Sequence, residues 1–348
     1  MSLAIVNAGQ RPILRLVDED APVVMLEEEI GPDRAWRGTT VTAADWTVPV
    51  DHDALREITR LVQNLRAAPL PLLLRRPEHF DLPHCRELMR RVRRTLTDGI
   101  GLVVVDRMPL HEMSREEATT VYWTLGQFLG QPVATKWDGT MLYDVKDTGK
   151  RFGHGVRGSA TNVELTFHTD NAFGATLPDF VGLLCLQQSQ SGGTSRFCSL
   201  YTVHNELLRR APELLRRLYQ PAYYDRQAEH APDAPQVLRA PMFSYAGGKL
   251  AARLVPGLVR RGYALMGEEP DAPLVDALEC LESVLADESL RVEFKIEPGQ
   301  LQYLNNLECG HYRSAFVDAE EPERKRHLIR VWYRDHGGPT YDGYPSPS

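Results

Sequence analysis

The sequence predicts an α+β protein in which a helical first third buttresses a mainly-β core, an antiparallel sandwich or barrel. Two observations carry this. Apolar residues recur at helical spacing up to about residue 130, and beyond about 134 they fall into short β-prone runs separated by turn signals. Residues 53–68 place Leu55, Ile58, Leu61, Val62 and Leu65 on one helical stripe. Residues 84–97 form a basic helix whose Arg90, Arg91, Arg93 and Arg94 read as a solvated face. The apolar run 101–105 reads as a buried strand. Ser114 and Glu117 make a capping box for the next helix, with Gly130 as its stop.

The β-prone runs are 141–145, 164–167, 180–186, 195–200, 292–296, 301–304 and 328–333. Helices over 203–219 and 272–286 interrupt them. The connection 221–249 is poorly periodic and rich in Pro, Ala and Tyr, as expected of a lid or loop. The chain then divides into a 1–50 extension, a helical layer over 51–133, a β core over 134–335 carrying the lid insert, and a flexible tail over 337–348. One elaborated domain accounts for all four parts.

Composition removes whole classes of function. Of 348 residues, 43% are hydrophobic and 25% charged, as in ordinary globular proteins, so disorder and fibrous repeats are excluded. A net charge of −7 supplies no global field toward nucleic acid or an anionic membrane surface. Five scattered cysteines without a C-x-x-C pair argue against a disulfide framework or a thiolate zinc site. The N-terminal stretch lacks a basic n-region and a sustained apolar h-region, and no run reaches membrane-spanning length. The expectation is a cytoplasmic, reduced protein with neither nucleic acid nor membrane as partner.

Histidines are the distinctive polar feature of the strand-rich half. An H-x-[D/E] triplet on a strand points both side chains to one face. Three triplets occur, at His79, His168 and His204. His79 lies in a Pro-flanked loop and His204 opens a helix, where positions i and i+2 diverge. Only His168 and Asp170 end a strand-like run and can converge on one ion. A third ligand must return from far along the chain, and His311 follows a strand and a loop. A lone histidine is more often a hydrogen-bonded structural group than a ligand.

The segments FHTDNAF, SGGTSRF, NNLECGHYRSAF and RHLIRVWYR, in this order, resemble the taurine dioxygenase and clavaminate synthase family. The resemblance spans roughly residues 100–335. It implies a double-stranded β-helix (a jelly roll of cupin type) and an Fe(II)/2-oxoglutarate-dependent dioxygenase using dioxygen. By resemblance His168, Asp170 and His311 are the metal ligands and the catalytic centre. Two imidazoles and one carboxylate suit non-haem iron(II). Arg326 and Thr194 match the positions that hold the distal carboxylate of 2-oxoglutarate, and a guanidinium fork suits that task. Arg330 matches a position that contacts either the substrate anion or the metal-side carboxylate.

The metal carboxylate Asp170 argues against halogenation, so the implied reaction is hydroxylation of a C–H bond, with succinate as co-product. Desaturation, epoxidation and cyclisation use the same oxidant and stay open. A cupin-type metalloenzyme or a binding protein is the more distant alternative. The implied substrate is a small polar molecule bearing a carboxylate, amino-acid-like or a natural product. Its candidate contacts are Arg157, Asn162, Leu165, Asn171, Phe173, Asn305 and Arg330.

Overall fold

The computed structural model describes residues 12–343. The readings made for the first eleven residues and for 344–348 lie outside the described residues. Two sheets, antiparallel except for the parallel pairing of Thr47–Pro49 with Leu102–Asp106, face one another. The larger has seven strands, in the order Thr47–Pro49, Leu102–Asp106, Leu301–Asn305, Phe180–Gln187 and His327–Arg334, the last flanked by Gln131–Val133 and Tyr143–Val145. The smaller runs Arg291–Phe294, Ser195–Ser199, Cys309–Arg313, Leu165–His168. Leu102, Val104, Val181, Leu304 and Trp332 from the first sheet meet Phe197, Val292 and Cys309 from the second in one core. This is the double-stranded β-helix.

The larger sheet is buried on both faces, which explains the unbroken apolar run from Leu102 to Val105. Val103 and Val105 turn away from the partner sheet and pack on the helices His52–Ala67, Pro83–Thr97 and Arg115–Gly126. Strand His327–Arg334 divides in the same way. Ile329, Val331 and Tyr333 join the helical layer, while Leu328, Arg330, Trp332 and Arg334 occupy the other face. Glu57, nearly fully buried on the first helix, accepts the backbone N–H groups of His84 and Cys85 at 3.0 and 2.8 Å, satisfying the N-terminal turn of the second.

Several expectations need correction. The capping box of Ser114 and Glu117 forms, but its helix ends at Gly126, not near Gly130. The helix foreseen over 203–219 is two, Leu200–Arg210 and Pro212–Leu218, because a proline drives the preceding residue out of the helical region and Ala211 takes φ −158°. Helix Pro256–Met266, with proline at its start and left-handed Gly267 after its end, was overlooked. The 221–249 connection carries three strands and the start of a fourth. Ala222–Asp225 pairs with Val237–Ala240, which pairs in turn with Ile13–Arg15, and Phe243–Ala246 pairs with Lys249–Ala252. Strands of four residues are too short to show a period.

The tail also departs from expectation. Residues 337–343 pack on the core, and Tyr341 is buried against Trp332. All five cysteines are free, and no described helix is long and apolar enough to cross a membrane.

The seam between helices and sheet yields a test of sign. Helix propensity alone favours alanine over glycine by about 1 kcal/mol. A Cβ on Gly126 would, however, lie 1.9 Å from the hydroxyl of Tyr333, a ring with no room to retreat. Gly126→Ala is expected to destabilise the fold by about 1–3 kcal/mol net, as overpacking does. Urea denaturation reads this directly; an unchanged or raised midpoint would show that the seam can relax.

Candidate active site

His168 ends strand Leu165–His168 and stands directly opposite His311 on strand Cys309–Arg313. Opposed residues on antiparallel strands share a face at about 5 Å, and the two imidazole centroids lie 4.2 Å apart. Asp170 follows just beyond the strand end. Its backbone is fixed by the buried amide of Asn306: the Asp170 N–H donates to Asn306 Oδ1 at 2.7 Å, and Asn306 Nδ2 donates to the Asp170 and Pro178 carbonyls at 2.9 and 3.2 Å. Asp170 Oδ1 then lies 3.7 Å from His168 Nε2 and 3.5 Å from His311 Nε2. One donor atom from each of the three residues falls within 4.8 Å of the others, close enough to share one ion.

Protonation states suit that role. His168 Nδ1–H donates to the Thr166 carbonyl at 2.8 Å, which leaves Nε2 with a lone pair facing Asp170. Burial, aided by the neighbouring His311, pushes the His168 imidazole down to about 3, so it is neutral at physiological pH. Burial opposes ionisation of Asp170, but Arg330 and the two imidazoles overcome it and hold the carboxyl well below its ordinary range. Arg330 Nη1 reaches the two Asp170 oxygens at 3.0 and 3.3 Å, and Trp332 Nε1 donates to Oδ2 at 2.7 Å. Two imidazoles, that of His168 neutral, beside an ionised carboxylate fit iron(II). The thiols do not compete: burial pushes Cys185 and Cys198 up to about 12.

A second feature is a buried cation without a counter-ion. Arg326 is 3% exposed, and its Nε and Nη1 have no hydrogen-bond partner. Burial lowers its guanidinium to about 10. An unpaired buried charge is costly, so such a group marks an anion seat. Thr194 lies at this end of the smaller sheet, half-buried, with its backbone held by Ser314 in both directions. The sequence reading missed Arg313, two residues after His311. It is also buried, with Nε and Nη1 unpartnered, and the Arg313 and Arg326 guanidiniums lie 4.8 and 5.1 Å from the Phe316 ring centroid. The i+2 spacing from a ligand was the available signal.

On the other side of the triad is a cavity of about 310 Å³. His168, Asp170 and Arg330 form its polar floor; Arg157, Leu165, Asn171 and Phe173, all foreseen, line it with Trp332. Asn162 and Asn305 do not. Asn162 is exposed and lends its carbonyl to the Phe316 N–H, while the Asn305 amide binds the Leu96 carbonyl and the Leu307 N–H, a structural turn. Glu229, which went unnoticed, pairs with both arms of Arg157 inside the cavity. His204 is a core histidine, with Nε2 2.8 Å from the Tyr219 hydroxyl.

Comparison with known proteins places this geometry. Residues 66–332 match the family described as "Taurine catabolism dioxygenase TauD, TfdA family". The chain is 28% identical over 323 residues to FR-33289 synthase of Streptomyces rubellomurinus (strain ATCC 31215), covering 91% of this chain and 93% of that protein. Among solved structures it resembles an asparagine oxygenase in complex with Fe(II), 2S,3S-3-hydroxyasparagine and succinate. There the TM-score is 0.61 and the identity 20%, over 83% of this chain and 94% of the other. The non-haem iron oxygenase OrfP, in complex with Fe and alpha-ketoglutaric acid, gives a TM-score of 0.60 at 20% identity, over 83% and 93%. The chain belongs to the TauD/TfdA dioxygenase family and is an oxidoreductase that works with iron(II), 2-oxoglutarate and dioxygen.

Proposed function

We propose that this enzyme hydroxylates a small, polar, carboxylate-bearing molecule of amino-acid or related natural-product type. The observation that carries the reading is the His168–Asp170–His311 cluster, set between a buried unpaired Arg326 and a cavity floored by Arg330. The products named in the two structural neighbours, hydroxyasparagine and hydroxyarginine, support the amino-acid class. In this reading the three residues hold iron(II), and Arg326 with Thr194 holds the distal carboxylate of 2-oxoglutarate. When bound, iron(II) and 2-oxoglutarate reduce dioxygen, so that one oxygen atom enters the substrate C–H bond and the other leaves in succinate, with loss of CO₂.

The chain's own residues set the stage for that chemistry. The Thr166 carbonyl fixes the His168 tautomer, and Trp332 with Arg330 fixes the Asp170 carboxylate. Arg157 is engaged by Glu229, which leaves Arg330 as the cavity cation with capacity for a substrate anion. Its Nη1 stays on Asp170, its buried Nε has no hydrogen-bond partner, and the side chain lines the cavity. Leu165, Phe173, Val255 and Leu258 give the cavity apolar walls that exclude water from the reacting carbon.

The metal assignment is tested by anaerobic absorbance. Wild type with iron(II) and 2-oxoglutarate is expected to show a visible charge-transfer band, and His168→Ala, Asp170→Ala and His311→Ala to lose it. A band that survives all three substitutions rejects the triad.

Arg326→Ala removes the partner of a buried carboxylate. Losses of that kind run at about 2–5 kcal/mol, so 2-oxoglutarate affinity should fall at least roughly 30-fold. Titration of the same band checks this, and unchanged affinity would move the anion seat elsewhere.

The substrate anchor needs a third measurement, succinate release above the uncoupled background across a panel of amino acids and small carboxylates. With any substrate so found, Arg330→Lys should raise KM roughly tenfold or more, since a point charge replaces a planar fork, while the band persists. An unaltered KM would remove Arg330 from substrate binding.

A further inference from the structure

Residues 337–343 follow the last strand, His327–Arg334, and turn back over the metal-side loop. Tyr341 is 3% exposed, and its ring stacks on Trp332 with centroids 6.2 Å apart at 26°. Trp332 is the residue whose indole N–H donates to Asp170 Oδ2. The Tyr341 hydroxyl donates to Asn171 Oδ1 at 2.7 Å, and Asn171 directly follows Asp170 with left-handed φ of +57°. Asn171 Nδ2 donates onward to the Thr176 carbonyl at 2.8 Å. A non-glycine residue holds such a backbone conformation only where its surroundings over-determine it. Tyr341 therefore reaches Asp170 by two routes: through the indole that orients its carboxylate, and through the neighbour that fixes its backbone.

The segment is itself firmly held. Arg334, 1% exposed, binds only backbone carbonyls in this region: those of Thr340 and Tyr341 on the tail, both at 2.8 Å, and those of Thr176 and Leu177 on the loop after Asp170. The Asp342 carbonyl accepts from Thr176 Oγ1 at 2.8 Å. The Asp342 carboxylate lies 3.4 Å from Nη2 of buried Arg226. Arg226 precedes Gln227 and Ala228, both left-handed, and then Glu229, the cavity partner of Arg157. One short segment thus ties the carboxylate of the triad to the wall of the cavity. The family match ends at residue 332, so Arg334 and the 337–343 segment lie beyond it.

We propose that Tyr341 is a positioning residue for Asp170 and that 337–343 acts as a clasp on the metal site; the proposal rests on the reading of Asp170 as a metal ligand. Residues that orient ligands in this way typically change metal affinity 10–100-fold when removed. A segment that merely plugged the core would lower thermal stability and leave metal affinity alone.

Cobalt(II) titration followed by its d–d absorbance, with the full-length protein kept well below its melting temperature, separates these cases. Tyr341→Leu fills the space without the stack or the hydroxyl, and is expected to weaken cobalt binding roughly tenfold. Tyr341→Phe keeps the stack alone and should fall between that variant and wild type. Should Tyr341→Leu fail to fold, Tyr341→Phe decides. Binding within twofold of wild type by every folded Tyr341 variant overturns the clasp, even if melting temperatures drop. Asp170→Ala is run alongside. If it binds cobalt as wild type does, the ligand assignment has failed; if it loses the metal while the Tyr341 variants keep it, the clasp alone has failed.

Discussion

A carboxylate held ionised in the interior is the constraint from which the rest of this site follows. Asp170 is 5% exposed, and taking such a group out of water costs several kcal/mol unless cations and donors replace its hydration. Here the donors to the carboxylate are Arg330 and Trp332, about 160 residues along the chain on strand His327–Arg334 of the larger sheet, while Asn306, from the turn before the His311 strand, fixes the Asp170 backbone and the two imidazoles of the smaller sheet face it. No local stretch of chain could assemble them. The two sheets must close on one another first, and the buried helical layer behind the larger sheet keeps strand His327–Arg334 in register for that closure.

The same strand explains where the two proposed anion seats fall. Arg326, one residue before it, and Arg330 are four residues apart, and extended backbone rises about 3.3 Å per residue, so their backbones are separated by about 13 Å. Even spacing puts both on the barrel side. One lies unpaired beside Arg313 and Phe316; the other reaches Asp170 and the cavity. A strand with period two can therefore serve two anions on opposite sides of the triad.

Much of this was legible in the sequence. The H-x-D triplet and its strand context, local features, marked His168 and Asp170, while His311 entered the ligand set through the family resemblance, and the structure brings the three together. The apolar run at 101–105 and the box of Ser114 and Glu117 were local too. What stayed hidden depended on partners far away. Arg157 and Glu229 are 72 residues apart, and nothing in either neighbourhood announces the pair. Asn305 was chosen where its neighbour Asn306 serves, since a strand's last residue and a turn's first point opposite ways: Asn305 toward Leu96, Asn306 toward Asp170. The tail looked free because Gly, Pro and Ser dominate it, yet a single tyrosine and the carbonyls taken by Arg334 suffice to dock it.

Charge pairing inside the cavity narrows what it can accept. Arg157 is matched by Glu229, and Glu164 at the margin takes the Tyr312 hydroxyl. Arg330 is matched by Asp170, but only through Nη1, and that carboxylate is also the group placed to face a cation between the two histidines. A carboxylate shared with a second cation neutralises the first less completely. The positive potential that Arg330 presents to the cavity therefore rises with occupancy of the triad, and anchor and ligand behave as one electrostatic unit. Removing the Arg330 side chain would disturb both at once, whereas a lysine retains the charge and gives up only the fork. The cavity offers one anion seat, adjacent to the triad, with apolar walls beyond it. That arrangement suits a substrate carrying a single carboxylate close to the carbon to be oxidised better than one with two anionic ends.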